Sequence, residues 1–246
     1  MIPIKTPQEI EIMREGGDIS SRAMKAVLAE VKPGVTLKEL DTIAENVITS
    51  AGASASFKTV DDYSYATCIN VNAGIVHGIP NLYELEEGDV VSIDLGAYYK
   101  GFHTDMAFSV EVSSDKERKF LNAGRKALEN AIFNCVEGNR IGDVCHAIQS
   151  EIERNGYSVS RDLVGHGVGR QLHEDPYVPG YGKKKKGLKL ENGMVLAIEV
   201  IYQKGRPEIS LDFDGWTYKT ADGSLSGLFE HTVAITPQGP QIITEL

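Results

Sequence analysis

EGDVVSIDLG at residues 87–96 and NGMVLAIEVI at residues 192–201 decide the fold. Each has a turn glycine followed by an apolar strand pattern, and each sets one carboxylate, Asp94 or Glu199, inside that pattern. The two runs align without a gap at an offset of 105. Upstream, GVTLKELDTIAENVITSAG (34–52) aligns with GNRIGDVCHAIQSEIERNG (138–156) at an offset of 104, glycine on glycine at both ends. This is an internal repeat of helix-helix-strand units, with halves at about 1–112 and 113–246. No Pro/Ser-rich linker separates them, so residues 1–246 are expected to form a single domain of α+β class. Two such pseudo-symmetric halves would bring their matched carboxylates together at a central cleft.

The helices announce themselves by their caps. Thr6-Pro7-Gln8-Glu9 joins a hydroxyl cap, a first-turn proline and a Glu three residues on, and Pro33-Gly34 ends that helix. Thr36 to Glu39 reads as a second capping box, ahead of a helix that Gly52 stops. Ser114 to Glu117 reads as a third, ahead of a helix closed by Gly138. A further helix is expected from about Ile141 to Asn155.

Composition bounds the function. Hydrophobic residues at 41% and charged residues at 24% exclude intrinsic disorder. A net charge of −10 repels phosphate backbones, which excludes nucleic acid as the main partner. Cys68, Cys135 and Cys145 form no C-x-x-C pair and leave no complete disulfide set, which fits a reduced, cytoplasmic compartment. No run reaches a transmembrane length, so no membrane contact is expected.

The embedded acids need an explanation, because a buried unpaired carboxylate costs several kcal/mol. With Tyr99-Lys100 as a two-residue hairpin loop, Asp94 and Asp105 fall directly opposite, their Cβ atoms about 5 Å apart, where like charges repel. A metal cation resolves the conflict. Gly165-His166-Gly167-Val168-Gly169 supplies a histidine flanked by small residues, His173 follows, and Glu230 enters the strand Val233-Ala234-Ile235. Four carboxylates and one neutral imidazole carry a charge that two divalent ions cancel. An oxygen-rich set with one nitrogen suits Co, Mn, Fe or Zn in open, catalytic coordination.

At this point the chain resembles the type I methionine aminopeptidases, within the pita-bread metallopeptidases. The matching segments are TCINVNAGIVHGIP, GDVVSIDLGAYYKGFHTDMA, GHGVGRQLHEDP, GMVLAIE and WTYKTADGSLSGLFEHT, and they span essentially the whole sequence. The resemblance implies a pita-bread fold, a curved antiparallel sheet around a dinuclear metal site. It implies two divalent cations per chain held by Asp94, Asp105, His166, Glu199 and Glu230, with Asp105 and Glu230 shared between them. It implies His77, His173 and Glu199 as catalytic residues. His77 and His173 would also touch substrate, beside a methionine pocket of Phe57, Tyr63, Cys68, Leu172 and Trp216. A monovalent cation near Asn72, Gly74 and Ser226 is implied as well. The activity implied is removal of the initiator methionine from nascent chains when the second residue is small.

Ala73, Gly74, Val200 and Leu228 depart from the family's usual residues, and none of them is an implied metal ligand. His103 and His231 adjoin ligands and are read as hydrogen-bonding residues. Two rival readings are carried forward: a proline-specific pita-bread peptidase, toward which IDLGA leans, and a metal-free binding module. Nothing ahead of the repeat resembles the extra N-terminal domain of the proline-specific enzymes. Without a heptad or large apolar surface run, a monomer is expected. Lys183-Lys184-Lys185-Lys186 is the one dense basic run, expected on an exposed flexible loop with weak, salt-sensitive contact to the ribosome.

Overall fold

The computed structural model describes residues 2–246. The chain makes two passes. The first comprises α1 (Pro7–Ala29), α2 (Leu37–Ser50), β1 (Ser54–Ala55), β2 (Thr67–Val71), β3 (Gly74–Val76), β4 (Val90–Leu95), β5 (Ala97–Tyr99), β6 (Phe102–His103) and β7 (Met106–Glu111). The second comprises α3 (Arg118–Phe133), α4 (Ile141–Arg154), β8 (Ser158–Val159), β9 (Val164–Gly167), β10 (Glu174–Pro179), β11 (Val195–Gln203), β12 (Ile209–Leu211), β13 (Tyr218–Thr220), β14 (Ser226–Thr236) and β15 (Gly239–Ile242). Helices α2 and α4 keep the offset of 104 at both ends, as the repeat requires.

The main sheet runs β10-β9-β11-β14-β7-β4-β2, all antiparallel, with β15 beside β14 and β8 beside β11. The halves meet where β7 pairs with β14. Successive strand residues face opposite sides, so each strand divides its side chains between two environments. Val91, Ile93 and Leu95 pack with Met24, Val27, Leu40 and Ile48 of α1 and α2. Leu196, Ile198, Val200 and Tyr202 pack with Phe120, Ala127, Val144 and Ile148 of α3 and α4. Both helix pairs therefore cover one face, and the residues between, Asp94 and Glu199 among them, turn to the other.

The first two capping boxes form. Thr6 Oγ1 accepts from Glu9 N at 3.3 Å while Glu9 accepts from Thr6 N at 2.8 Å, and Thr36 with Glu39 repeats the arrangement. The third does not. Helix α3 starts at Arg118 with no side-chain cap, and Ser114 Oγ accepts from Lys116 N instead. Ser113 in the left-handed region (φ 50°) and the Glu111 carboxylate accepting from Glu117 N fold the segment into a turn before the helix can begin.

The hairpin register also differs from expectation. The tight turn is Lys100-Gly101, not Tyr99-Lys100, and Asp94 lies opposite Ala107. Lys100 (φ 49°) and Gly101 (φ 88°) both take positive φ, as a type I′ turn demands, and glycine carries the second position at no steric cost. The slip is two residues, so it keeps every side chain on its face: Asp105 still shares a side with Asp94.

Candidate metal centre

Sheet register alone builds the site. Cys68 lies opposite Asp94, Asp94 opposite Ala107, Ala107 opposite Glu230 and Glu230 opposite Glu199. Residues directly opposite share a face, so one row across five strands carries three carboxylates on the side away from the helices. Asp105, two residues before Ala107, joins that face. So does His166, which lies opposite Ala197, two residues before Glu199. Ala107 is the small member of the row, leaving space between the two halves.

The five donors meet in a closed setting. Oxygens of Asp105 and Glu230 and one nitrogen of His166 all lie within 4.8 Å of one another. His166 Nε2 stands 3.8 Å from Asp105 Oδ2 and 3.7 Å from Glu199 Oε1, too far for hydrogen bonds and suited to a shared third partner. Asp94 Oδ1, Asp105 Oδ1 and Glu230 Oε1 are buried with no hydrogen-bond partner among the described residues. Orphaned carboxylate oxygens of this kind are rare unless a cation completes them. The residues present thus fit a divalent metal on charge, donor type and unmet bonding alike.

Electrostatics point the same way. Burial, with the neighbouring carboxylates, pushes Asp94 and Glu230 well above the carboxylate range. Asp105 is pushed up to about 7 and Glu199 to about 8, each mainly by burial. His166 is held down to about 4 by burial first and by His173 second, so it is neutral at pH 7 and is not an ion-pair partner of Asp105 or Glu199. Its Nδ1 lies 2.9 Å from the Gly167 carbonyl, which fixes the proton on Nδ1 and leaves the Nε2 lone pair facing the acids. Thr232 clamps the Asp105 backbone, accepting from its N–H at 2.9 Å and donating to its carbonyl at 2.8 Å. The glycines around His166 earn their place sterically: a Cβ on Gly165 would stand 2.5 Å from the Ala197 carbonyl oxygen, and one on Gly167 2.3 Å from that of Asp175.

A cavity of about 270 Å³ opens over the acids. Phe57, Tyr63, Cys68, Leu172 and Trp216 all line it and pack into one cluster, Tyr63 and Trp216 edge to face with centroids 5.1 Å apart. His77 and His173 border it too. His77 holds φ 58°, strained for a non-glycine residue, and its ring packs against Tyr218 at 5.9 Å. The His173 ring meets that of His166 at 4.5 Å. Both are held below their ordinary value, first by burial, and are neutral at pH 7.

Every residue named from the sequence for the metal, the chemistry and the pocket is brought to this one cavity. His103 and His231 stay outside, His103 3.2 Å from Ser56 Oγ and His231 3.2 Å from Thr244 Oγ1. Sequence reading missed Val60, Val76, Ile201 and Leu228 as further walls. The period-two rule contained the signal for two of them: Ile201 lies two residues after Glu199, and Leu228 two before Glu230. The Lys183–Lys186 run is exposed as expected but is not free. Asp143 accepts from Lys185 N at 2.9 Å and Lys186 O accepts from Gly142 N at 3.0 Å, pinning the loop to the start of α4.

A family model described as metallopeptidase family M24 matches residues 11–237. A methionine aminopeptidase of Clostridium perfringens is 44% identical over 246 residues, covering 99% of each chain. Methionine aminopeptidase 1 of Bacillus subtilis is 42% identical over 248 residues, covering 100% of each. Among solved structures, a methionine aminopeptidase from Thermotoga maritima superposes with a TM-score of 0.97 at 41% identity and full coverage of both chains. A prolidase from Pyrococcus furiosus superposes with a TM-score of 0.80 at 26% identity, over 99% of this chain and 65% of that one.

Proposed function

Because the chain belongs to metallopeptidase family M24, and has its pita-bread fold, we propose that it is a methionyl aminopeptidase, a metal-dependent exopeptidase that removes the initiator methionine. The observation that carries this reading is the row of acids flooring a cavity whose walls suit a thioether: aromatic rings, a leucine and a thiol around about 270 Å³. Residues 1–246 act as one catalytic domain.

Asp94, Asp105, His166, Glu199 and Glu230 would hold two divalent cations, Co, Mn, Fe or Zn. When bound, such cations supply a nucleophilic water of lowered pKa and polarise the scissile carbonyl. Glu199 accepts the proton released on attack and passes it to the leaving amine. His173, neutral, donates an N–H to the oxyanion that develops at the carbonyl, and His77 holds the scissile-bond region. The pocket walls bind the methionine side chain and exclude water from it. A free α-amino group is required at the acidic floor, which confines cleavage to the chain's first residue. Small second residues are preferred.

Several finer assignments belong to the same proposal. The carbonyls of Asn72 and Gly74 converge on Ser226, Asn72 O accepting from Ser226 N at 2.8 Å and Gly74 O from Ser226 Oγ at 2.5 Å, and these carbonyls would be the oxygen donors of a monovalent cation. The compartment is cytoplasmic, supported by three buried free cysteines. The working form is a monomer, and no helix among the described residues is long and apolar enough to cross a membrane. The pinned, exposed lysines give a weak ribosome contact: replacing all four with Ser should reduce low-salt co-sedimentation without altering tripeptide turnover, and unchanged co-sedimentation would remove that contact.

The deciding experiment compares Met-Ala-Ser, formyl-Met-Ala-Ser and Xaa-Pro peptides with Mn²⁺-loaded protein. Turnover of Met-Ala-Ser alone is expected. Preferred cleavage of Xaa-Pro substrates would make the chain a proline-specific enzyme, and comparable hydrolysis of the formylated peptide would remove the aminopeptidase reading.

A further inference from the structure

The mechanism needs His173 in a fixed place, yet its ring makes no hydrogen bond among the described residues and meets His166 edge to face at 4.5 Å. Its position must come from the backbone of the turn 169–174. The next residue, Glu174, closes that turn: its Oε1 accepts from Gln171 N at 3.2 Å. Its Oε2 meets Lys5 Nζ at 2.5 Å, with both side chains essentially buried, 1% and 5% exposed. Lys5 comes from 169 residues away in the chain, and the surroundings are cut to its shape. A Cβ on Gly169 would stand 2.4 Å from Lys5 Cε, and one on Gly193 would stand 2.6 Å from the Lys5 carbonyl oxygen. Lys5 N donates to Gly193 O at 2.7 Å, on the approach to β11, which carries Glu199. A second tie between the same segments, Arg170 to Glu9, reinforces the first from the surface.

We propose that Lys5 is a positioning residue for catalysis, holding the Glu174 carboxylate so that the turn presents His173 to the cavity. This rests on the role given to His173 above. A buried carboxylate stripped of its counter-charge does not stay where it is; it turns toward water and takes the turn with it. Removing both charges leaves no such force, because a Gln at 174 still accepts from Gln171 N and a Met at 5 fills the lysine's volume.

The test uses full-length, Mn²⁺-loaded protein and three variants, Lys5→Met, Glu174→Asp and the double variant Lys5→Met/Glu174→Gln. Turnover of Met-Ala-Ser, metal content and melting temperature are measured together, and the histidine ring resonances are recorded in metal-free protein. Lys5→Met should lower kcat about tenfold or more, with KM within twofold and metal content unchanged, while the His173 resonance shifts. The double variant should regain most of kcat and the wild-type resonance. Glu174→Asp, which keeps both charges but withdraws the carboxylate by one methylene, should fold normally and lose kcat likewise. It decides the matter if Lys5→Met does not fold. Wild-type kcat in Lys5→Met or in Glu174→Asp overturns the proposal, as does a double variant no better than Lys5→Met. A wild-type enzyme without peptidase activity would instead be a failure of the function proposed above, and the resonance shift would still report the coupling.

Discussion

Removing the cations should give the protein a stability that falls with pH above 6.5. In the metal-free state Asp105 is raised from 3.8 to about 7 and Glu199 from 4.5 to about 8, both chiefly by burial. A carboxyl raised by folding stabilises the fold while protonated. That contribution is complete below the ordinary value and is lost as pH climbs through the folded value. His103, His166 and His231, each lowered to about 4 mainly by burial, act in the opposite sense, but only below 6.5, where the unfolded chain would take up their protons. Between pH 6.5 and 9 the acids set the difference in slope between metal-free and cation-loaded protein, because the lowered Lys5 and the raised cysteines contribute equally to both. Asp105 contributes half a pH unit and Glu199 one and a half, at about 1.4 kcal/mol per unit, so about 3 kcal/mol is lost. Asp94 and Glu230, raised by burial and by the neighbouring carboxylates, act in the same direction. For a chain of this length each kcal/mol moves the melting temperature by about 2–4 °C, so the chelated protein should melt at least about 6 °C lower at pH 9 than at pH 6.5. Cation-loaded protein keeps the four carboxyls ionised throughout and should lack that slope. Calorimetry at matched ionic strength, with EDTA or with saturating Mn²⁺, reads both. Parallel slopes in the two states would refute the claim that these acids share one site completed by cations.

Asp105→Asn should nearly abolish turnover while the fold survives, since a buried anionic donor of the candidate site becomes a neutral one; peptidase assay and circular dichroism check the two halves. His173→Ala should keep its metal and lose about 10²–10³ in kcat, the worth of one oxyanion donor; metal loss instead would make His173 a ligand. Gly165→Ala should weaken metal binding and cost about 1–3 kcal/mol of stability, because its Cβ would stand 2.5 Å from the Ala197 carbonyl oxygen and 3.1 Å from Glu199 Cγ. Titration with Mn²⁺ and thermal melting measure the two effects separately, and wild-type behaviour in both would mean the strands can part there.

Local chemistry by itself determined a great deal. The hydroxyl-to-glutamate spacing at Thr6 and Thr36 fixed two helix starts, because a capping box needs only residues within one turn. Apolar runs after a turn glycine gave strands β4 and β11, and the one carboxylate inside each run marked Asp94 and Glu199 as residues in need of a compensating charge. Where a local signal had competitors, it failed. Ser114–Glu117 had the spacing of a cap, but Ser113 at positive φ and the Glu111 carboxylate made a turn of it. Tyr99-Lys100 and Lys100-Gly101 are both two-residue loops on paper, and only backbone geometry chooses the second. Tertiary structure alone decided the rest. The row from Cys68 to Glu199 exists because β7 of one half pairs with β14 of the other in one particular register, and that register is set by helices packing on the far face. The buried Lys5–Glu174 pair joins residues 169 positions apart, and no spacing rule reaches that far. Short-range hydrogen bonds and side-chain periodicity are written into neighbouring residues; which distant strands meet, and what charge ends up beside what, follows from the free energy of burying the whole sheet at once.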